Sequence, residues 1–406
     1  MSHSVIQVVS RVVFLAILAL SYWLFRRLTR PGAIYAEPTA VRIYGVAAVL
    51  LSIPWLIALI GGPGVPRAMP RTLATLLYLP AFCFLFTQLA IAIGLGLSWP
   101  VRRALRSAKT RPQAPAPEGI APPLTSRRTF LRRAALAAPL APFGVTAAGV
   151  IESQQKPKLR RLRFPVRNLP RAFEGFRIVQ LSDIHVGPYI TLETLAEYVA
   201  LTNQLAPDLV ALTGDMVNHE PEIYPDTARL LSKIRSTHGS FAILGNHEHY
   251  MGIEAAQHSL PSYGIPLLLD EKRRIKRRGE ELSLIGLDYS FDRHIGERQP
   301  TRPEDHLARA LASDDRQTAV TIGLTHHPHD FDVLRRANVD VTLAGHTHGG
   351  QIALGRYSLG GAFFRYSWGH YQKDGRHLYV SSGMGHWLPF RLGCPTELVE
   401  ITLVRA

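Results

Sequence analysis

The chain has 406 residues and a formal charge of +15, long enough for a large core plus a second region. The charge is lopsided: residues 1–150 hold 16 of the 46 Lys and Arg but only Glu37 and Glu118 as acids, while residues 151–406 are nearly neutral. The basic balance therefore gives no reason to expect nucleic acid, and the two cysteines, Cys83 in an apolar span and Cys394 near the C-terminus, do not read as a disulfide pair.

In chain order, three apolar stretches come first, at 5–25, 43–62 and 73–99. Each has the length needed to cross hydrocarbon, so residues 1–100 are expected to form three transmembrane helices, an all-α membrane region. Arg11, near one end of the first, can snorkel. Arg26, Arg27, Arg30 and Arg42 follow the first stretch, and Arg102, Arg103, Arg106 and Lys109 follow the third. Only Arg67 and Arg71 lie between the second and third. This asymmetry places the first and third loops in the cytoplasm and the N-terminus outside. Residues 101–125 read as a cytoplasmic, basic, Pro/Ala-rich linker.

Ser126-Arg127-Arg128-Thr129-Phe130-Leu131-Arg132 precedes a moderately apolar segment, 134–151. This is the form of a twin-arginine export signal, so 126–151 is expected to be a signal or anchor helix. The competing reading is an ordinary fourth span with a basic flank. Both readings put everything after residue 151 outside the cytoplasm, on the periplasmic or cell-envelope side of a multi-pass membrane protein. Residues 152–176 add Lys156, Lys158, Arg160, Arg161, Arg163, Arg167 and Arg171. That collar is either drawn to anionic headgroups or is a solvated linker.

From residue 177 the pattern changes. Short apolar, β-branched runs begin at Arg177, Leu209, Phe241, Val320, Val339 and His377. Leu192, Leu195, Val199, Thr202 and Leu205 recur at helical spacing, and 229–235 and 331–337 read as shorter helices. Strands separated by helices imply an α/β domain over 177–406 with a largely buried sheet. Residues 265–269 and 281–287 flank a basic stretch, Lys272 to Arg278, which reads as a hairpin with a charged tip. Its tip is either a solvated turn or a second contact with anionic lipid.

Each of the first five strand-like runs ends in a polar block: Asp183-Ile-His185, Gly214-Asp215, Gly245-Asn246-His247-Glu248, His326-His327-Pro328, and Gly345-His346-Thr347-His348-Gly349-Gly350. Polar residues at the ends of buried strands are where α/β sheets place ligand sites. Burying so many His and Asp without a compensating charge would be costly. Mixed carboxylate, imidazole and amide ligands suit Mn²⁺, Fe or Zn²⁺ rather than Ca²⁺.

As a set, these blocks resemble the calcineurin-like metallophosphoesterase superfamily, in particular its membrane-associated YkuE/YaeI-like branch. The resemblance covers 177–404 and none of the first 125 residues, and no motif position is substituted. It implies a four-layer αββα sandwich, helices outside two facing sheets. It also implies two divalent metal ions. The first would take Asp183, His185, Asp215 and His348; the second would take Asp215, Asn246, His326 and His346, with Asp215 bridging. A hydroxide between the metals would attack phosphorus in line. His247 is implied as the proton donor to the leaving oxygen, or as a stabiliser of the transition state. His219, His249, His294, His327, His329, His370 and His386 have no assigned role.

The activity so implied is hydrolysis of a phosphate ester, a diester above all. An extracytoplasmic site would meet a phospholipid, a lipid-linked carrier or a cell-envelope phosphodiester. Ala362-Phe363-Phe364 with Trp368, and Trp387-Leu388-Pro389-Phe390, are either core or a greasy rim for an acyl chain. The competing classes are a non-catalytic, metal-stabilised membrane sensor or binding module, and a hydrolase of another bond such as an amidase. The intact His247 disfavours the first.

Overall fold

Apolar residues in the strand runs alternate between two faces, and both faces are buried. Ile178, Leu209 and Ala211 point one way; Val179, Leu181, Val210 and Leu212 point the other, all at most 1% exposed. A strand buried on both sides must lie between two layers, and that sets the architecture. The computed structural model describes residues 140–289, 302–314, 317–355 and 357–406, with scattered positions between 19 and 84.

Two mixed sheets form. The first contains β1 (Lys158–Val166), β2 (Arg177–Leu181), β3 (Leu209–Thr213), β4 (Ser240–Ile243) and β13 (Glu397–Arg405), in the order β1-β13-β2-β3-β4. The second contains β5 (Glu271–Arg277), β6 (Glu280–Gly286), β7 (Thr321–Leu324), β8 (Val341–Ala344), β11 (Gly369–Lys373) and β12 (Arg376–Val380), in the order β11-β12-β8-β7-β6-β5. A two-stranded ribbon, β9 (Ala353–Leu354) with β10 (Tyr357–Ser358), stands apart. Strands β2, β3 and β4 are parallel to one another, as are β6, β7, β8 and β12.

The sheets face each other across one core that includes Phe164, Ile178, Leu209, Ile243, Leu284, Ile322, Val341, Leu343, Val399 and Ile401. Gln180 crosses that core: its amide donates to Thr213 Oγ1 and to the Ala344 carbonyl, each at 2.9 Å. Helix α1 (Leu140–Ser153) leads in. Helices α2 (Leu192–Gln204), α3 (Tyr224–Leu231) and α5 (Glu254–Ser262) cover the outer face of the first sheet through Leu195, Val199, Ala228, Leu231 and Leu260; the short α4 (Asn246–Met251) lies between α3 and α5 in sequence. Helices α6 (Pro303–Ala312) and α7 (Phe331–Arg336) cover the second sheet through Leu307, Ala310, Phe331 and Leu334. Helix, sheet, sheet, helix is the four-layer α/β arrangement that the motif resemblance implies.

One expectation is corrected. The basic stretch after Lys272 is not a hairpin tip but a strand, β5, at the edge of the second sheet, and the turn is Arg278-Gly279. Lys272 and Ile275 point inward, and the remaining charges find acids beside them: Arg274 with Glu281 and Asp314, Lys276 with Glu281. An edge strand tolerates such a pattern because only one side of it is paired, and charge there blocks edge-to-edge association.

The chain divides into two compact units, Met1–Ala148 and Gly149–Ala406. Among the described residues no helix is long and apolar enough to cross a membrane. The three expected spans, the linker and the twin-arginine-like segment fall largely outside the described residues. Within the second span, residues 48–54 are helical.

Because Ile178 is fully buried on the strand that leads to Asp183, Ile178→Ala is expected to cost about 2–5 kcal/mol through the lost transfer energy and the cavity it leaves. Urea denaturation followed by tryptophan fluorescence measures this; an unchanged midpoint would mean that the sheets do not pack there.

Candidate metal centre

The parallel strands of both sheets end at one edge, and the polar blocks begin where they end. Asp183 follows β2, Asp215 follows β3, Asn246 follows β4, His326 follows β7 and His346 follows β8. At these ends the backbone turns sharply. Asp183 (φ 51°), His185 (54°), Asp215 (53°), His346 (73°) and His348 (49°) all adopt the left-handed conformation. For a non-glycine residue this costs on the order of 1 kcal/mol each, and such clusters mark functional sites. The glycines let the turns meet. A Cβ on Gly245 would strike the Asp215 carboxylate, and one on Gly345 would strike Ser182 Oγ and the Asp183 carboxylate.

Two adjoining groups result. In the first, His185 Nε2 and His348 Nε2 lie 3.0 Å apart, His348 Nε2 is 3.4 Å from Asp183 Oδ1, and His185 Nε2 is 3.7 Å from Asp215 Oδ2. In the second, His326 Nε2 lies 3.2 Å from Asp215 Oδ2 and 3.1 Å from Asn246 Oδ1, which is itself 2.7 Å from His346 Nδ1. Asp215 belongs to both. All seven residues expected as ligands from the sequence come together here, and all but the half-buried His346 are buried. Among the described residues three overlapping sets could hold a metal ion: Asp183 with His185 and His348, Asp183 with Asp215 and His326, and a third that joins His185 and Asp215 to His247, which was not expected as a ligand.

The donor chemistry fits cations. His326 Nδ1 lies 2.8 Å from the Thr213 carbonyl, which can only accept, so its Nδ1 carries the hydrogen. A neutral ring would then turn a lone pair on Nε2 toward a carboxylate oxygen and an amide oxygen. At these distances positive charge is needed between them, either a proton on His326 Nε2 or a bound cation in its place. Burial holds His185, His346 and His348 well below the usual imidazole range, so they offer lone pairs near neutral pH. Burial pushes the Asp183 carboxyl up to about 6, against the pull of His326. Burial would lower His326 too, but the Asp215 carboxylate beside it raises it to about 10.

His247 sits beside this cluster. Its Nδ1–H donates to the Asn218 carbonyl at 2.6 Å, its backbone N–H donates to Asp215 Oδ1 at 2.8 Å, and its ring packs edge-on to His185 at 4.5 Å. The Nδ1 contact fixes the tautomer and leaves Nε2 free for the site.

Several supports went unread in the sequence. Glu248, fully buried, accepts from the backbone N–H groups of Gly245, Asp215 and Met216 and from Tyr224 OH, at 2.8–3.1 Å. It ties the turn after β3 to the turn after β4. Its place three residues into the Gly245 turn was the available signal. Arg391 is fully buried, donates to the Ser382 and Gly385 carbonyls at 2.7 Å each, and places Nη2 2.9 Å from His348 Nδ1. No spacing rule announces it, because it comes from a loop some forty residues on. Among the unassigned histidines, His219 stacks on His247 at 4.7 Å, His327 lies 4.8 Å from the His346 ring, and His370 pairs with His377 instead. His294 lies outside the described residues.

A buried cluster of this composition at the strand ends of a four-layer sandwich defines a metallophosphoesterase site, and the comparisons agree. The family described as calcineurin-like phosphoesterase matches residues 176–350. The metallophosphoesterase YkuE of Bacillus subtilis is 30% identical over 244 residues, 58% of this chain and 81% of that protein. This chain belongs to the calcineurin-like phosphoesterase family. The phosphodiesterase YaeI of Escherichia coli is 29% identical over 56% of this chain and 82% of its own length. A zebrafish protein named as a transmembrane protein with metallophosphoesterase domain is 29% identical over 64% of this chain. The match spans only 60% of that relative's length.

Glu248→Gln replaces an acceptor with an amide whose NH₂ must face backbone donors. Metal affinity is expected to fall by about 10–100-fold, as when outer partners of ligands are removed, with the fold retained. Chelator competition measures this; unaltered affinity would show that Glu248 does not position the ligands.

Proposed function

We propose that this protein is a membrane-anchored, dinuclear-metal-dependent phosphodiesterase that acts outside the cytoplasm on a phospholipid, lipid-linked or cell-envelope substrate. The observation that carries the catalytic part is the convergence of seven metal-binding side chains with Asp215 shared between two groups. Asp183, His185, Asp215 and His348 would hold one divalent ion, and Asp215, Asn246, His326 and His346 the other. Mn²⁺, Fe and Zn²⁺ all suit this donor set. Bound there, such ions supply a water-derived nucleophile near neutral pH and offset the charge of the phosphate.

The chain's own residues do the rest. Asp215 turns Oδ2 into the cluster while Oδ1 accepts from the His247 backbone, so the shared carboxylate and the acid–base candidate hold each other in place. Asn246 adds an oxygen without adding charge, which keeps the site attractive to a phosphate. His247, with Nδ1 anchored on Asn218, presents Nε2 as the atom that carries a proton to the leaving oxygen.

Three things support the membrane reading. The sequence holds three apolar stretches and a positive-inside bias. A relative is named as a transmembrane protein. In the described part of the second stretch, Val46, Val49, Leu50, Ile53, Leu56 and Ile57 are exposed, at 36–66%. Their spacing runs along one helix face, an arrangement suited to lipid and poorly suited to water.

The full chain, purified in nanodiscs, stripped with chelator and reloaded with Mn²⁺, is expected to hydrolyse bis(p-nitrophenyl) phosphate. Asp215→Asn should lose metal and turnover together. His247→Gln should keep its metal and lose about 10²–10⁴-fold in kcat. Folded, metal-loaded protein without turnover would overturn this reading in favour of a binding module.

A further inference from the structure

The ribbon β9–β10 carries apolar side chains that the fold does not bury. Leu354 and Tyr357 pair directly across it and are 84% and 68% exposed. Leu359 and Phe363, just beyond, are 48% and 78% exposed, and Trp387 on the neighbouring loop is 45% exposed. The ribbon is firmly tied at its base. Leu359 N–H donates to the Ile352 carbonyl at 2.7 Å, and Ala353 and Leu392 are linked by a backbone hydrogen bond of 2.8 Å. Its apolar residues are therefore held out on a hydrogen-bonded scaffold.

We propose that this ribbon and the Leu359–Phe363 segment dock into the surface of the lipid bilayer that carries the chain, so that an amphiphilic phosphate ester reaches the site without leaving the interface. The proposal rests on the membrane and phosphoesterase readings above. Leu, Tyr, Phe and Trp are the side chains that enter an acyl–headgroup boundary. The occupant follows from where the chain enters. The loop that anchors the ribbon also binds the end of α1: Arg391 N–H donates to the Gly149 carbonyl at 2.8 Å, and Gly393 N–H donates to Glu152 Oε2 at 2.9 Å. Ile151, 64% exposed, and the exposed Lys156 and Lys158 lie at or just past that end. Gly149, where this unit begins, thus lies against the loop that anchors the ribbon, near apolar and basic residues of the kind an anionic bilayer binds.

The ribbon also borders the site. It begins three residues after Gly350, and Phe364, next to Phe363, meets the His346 ring edge-on at 5.8 Å. A bilayer touching Phe363 would bring its headgroup layer toward His346. Of the aromatic clusters noted in the sequence, Phe390 is core, while Phe363 and Trp387 belong to this rim.

The test uses the full chain in nanodiscs of phosphatidylcholine and phosphatidylglycerol. In a Cys83→Ser background, a polarity-sensitive fluorophore is placed at Leu354→Cys or Phe363→Cys, with Tyr263→Cys and Leu311→Cys as exposed controls elsewhere. Nitroxide-labelled lipids are expected to quench positions 354 and 363 several-fold more than the controls. Equal quenching overturns the proposal. In the second arm, Leu354→Ser/Phe363→Ser should keep its turnover of bis(p-nitrophenyl) phosphate and lose about tenfold on a long-chain phosphodiester embedded in vesicles. Equal loss on both substrates, or a wild-type dimer that this variant breaks, would assign the patch to folding or to a second copy and overturn it. Strong quenching in a protein that hydrolyses neither substrate would uphold the docking surface and remove the enzymatic reading.

Discussion

Buried acceptor atoms facing one another at about 3 Å can coexist only with positive charge between them. That constraint organises the catalytic unit. His326 Nε2 confronts Asp215 Oδ2 and Asn246 Oδ1, while His346 Nδ1 lies 2.7 Å from the same Asn246 oxygen, to which a neutral ring can donate. The hydrogen bond to Thr213 removes the alternative in which a neutral His326 turns its N–H inward. A protonated His326 paired with Asp215 meets that need, and a divalent cation taking the proton's place would meet it as well.

Building it demands a backbone that most sequences avoid. Five of the site residues take left-handed φ values, and glycines at 245 and 345 let carboxylates approach where a side chain would block them. The surrounding sandwich supplies the stability that this strain consumes. Two sheets share one continuous apolar core, and Glu248 stitches the β3 and β4 turns together through backbone donors. Strain at the rim and rigidity beneath it are two parts of one design, because a loose support would let the turns relax and the acceptors separate.

Arg391 connects this centre to the way the chain arrives. Its side chain reaches His348 and the carbonyls around it, while its backbone N–H holds the Gly149 carbonyl at the end of α1. The same loop carries the base of the apolar ribbon. One loop therefore contacts the candidate ligand His348, the start of this unit and the base of the ribbon.

The sequence by itself determined the chemistry and the α/β class. Asp183, His185, Asp215, Asn246, His326, His346 and His348 were legible because each stands at the end of a β-branched run, and strand periodicity is local. The main strands were read within a few residues for the same reason. The basic run at β5 was misread as a tip because charge usually signals solvent, and nothing local says that acids on a neighbouring strand and loop will receive it. Glu248, Arg391 and the β9–β10 ribbon were missed because their roles depend on partners from other elements or on what fails to cover them. Which polar atoms face each other, and which apolar ones are left without cover, only the tertiary structure decided, since both are properties of packing between segments distant in the chain.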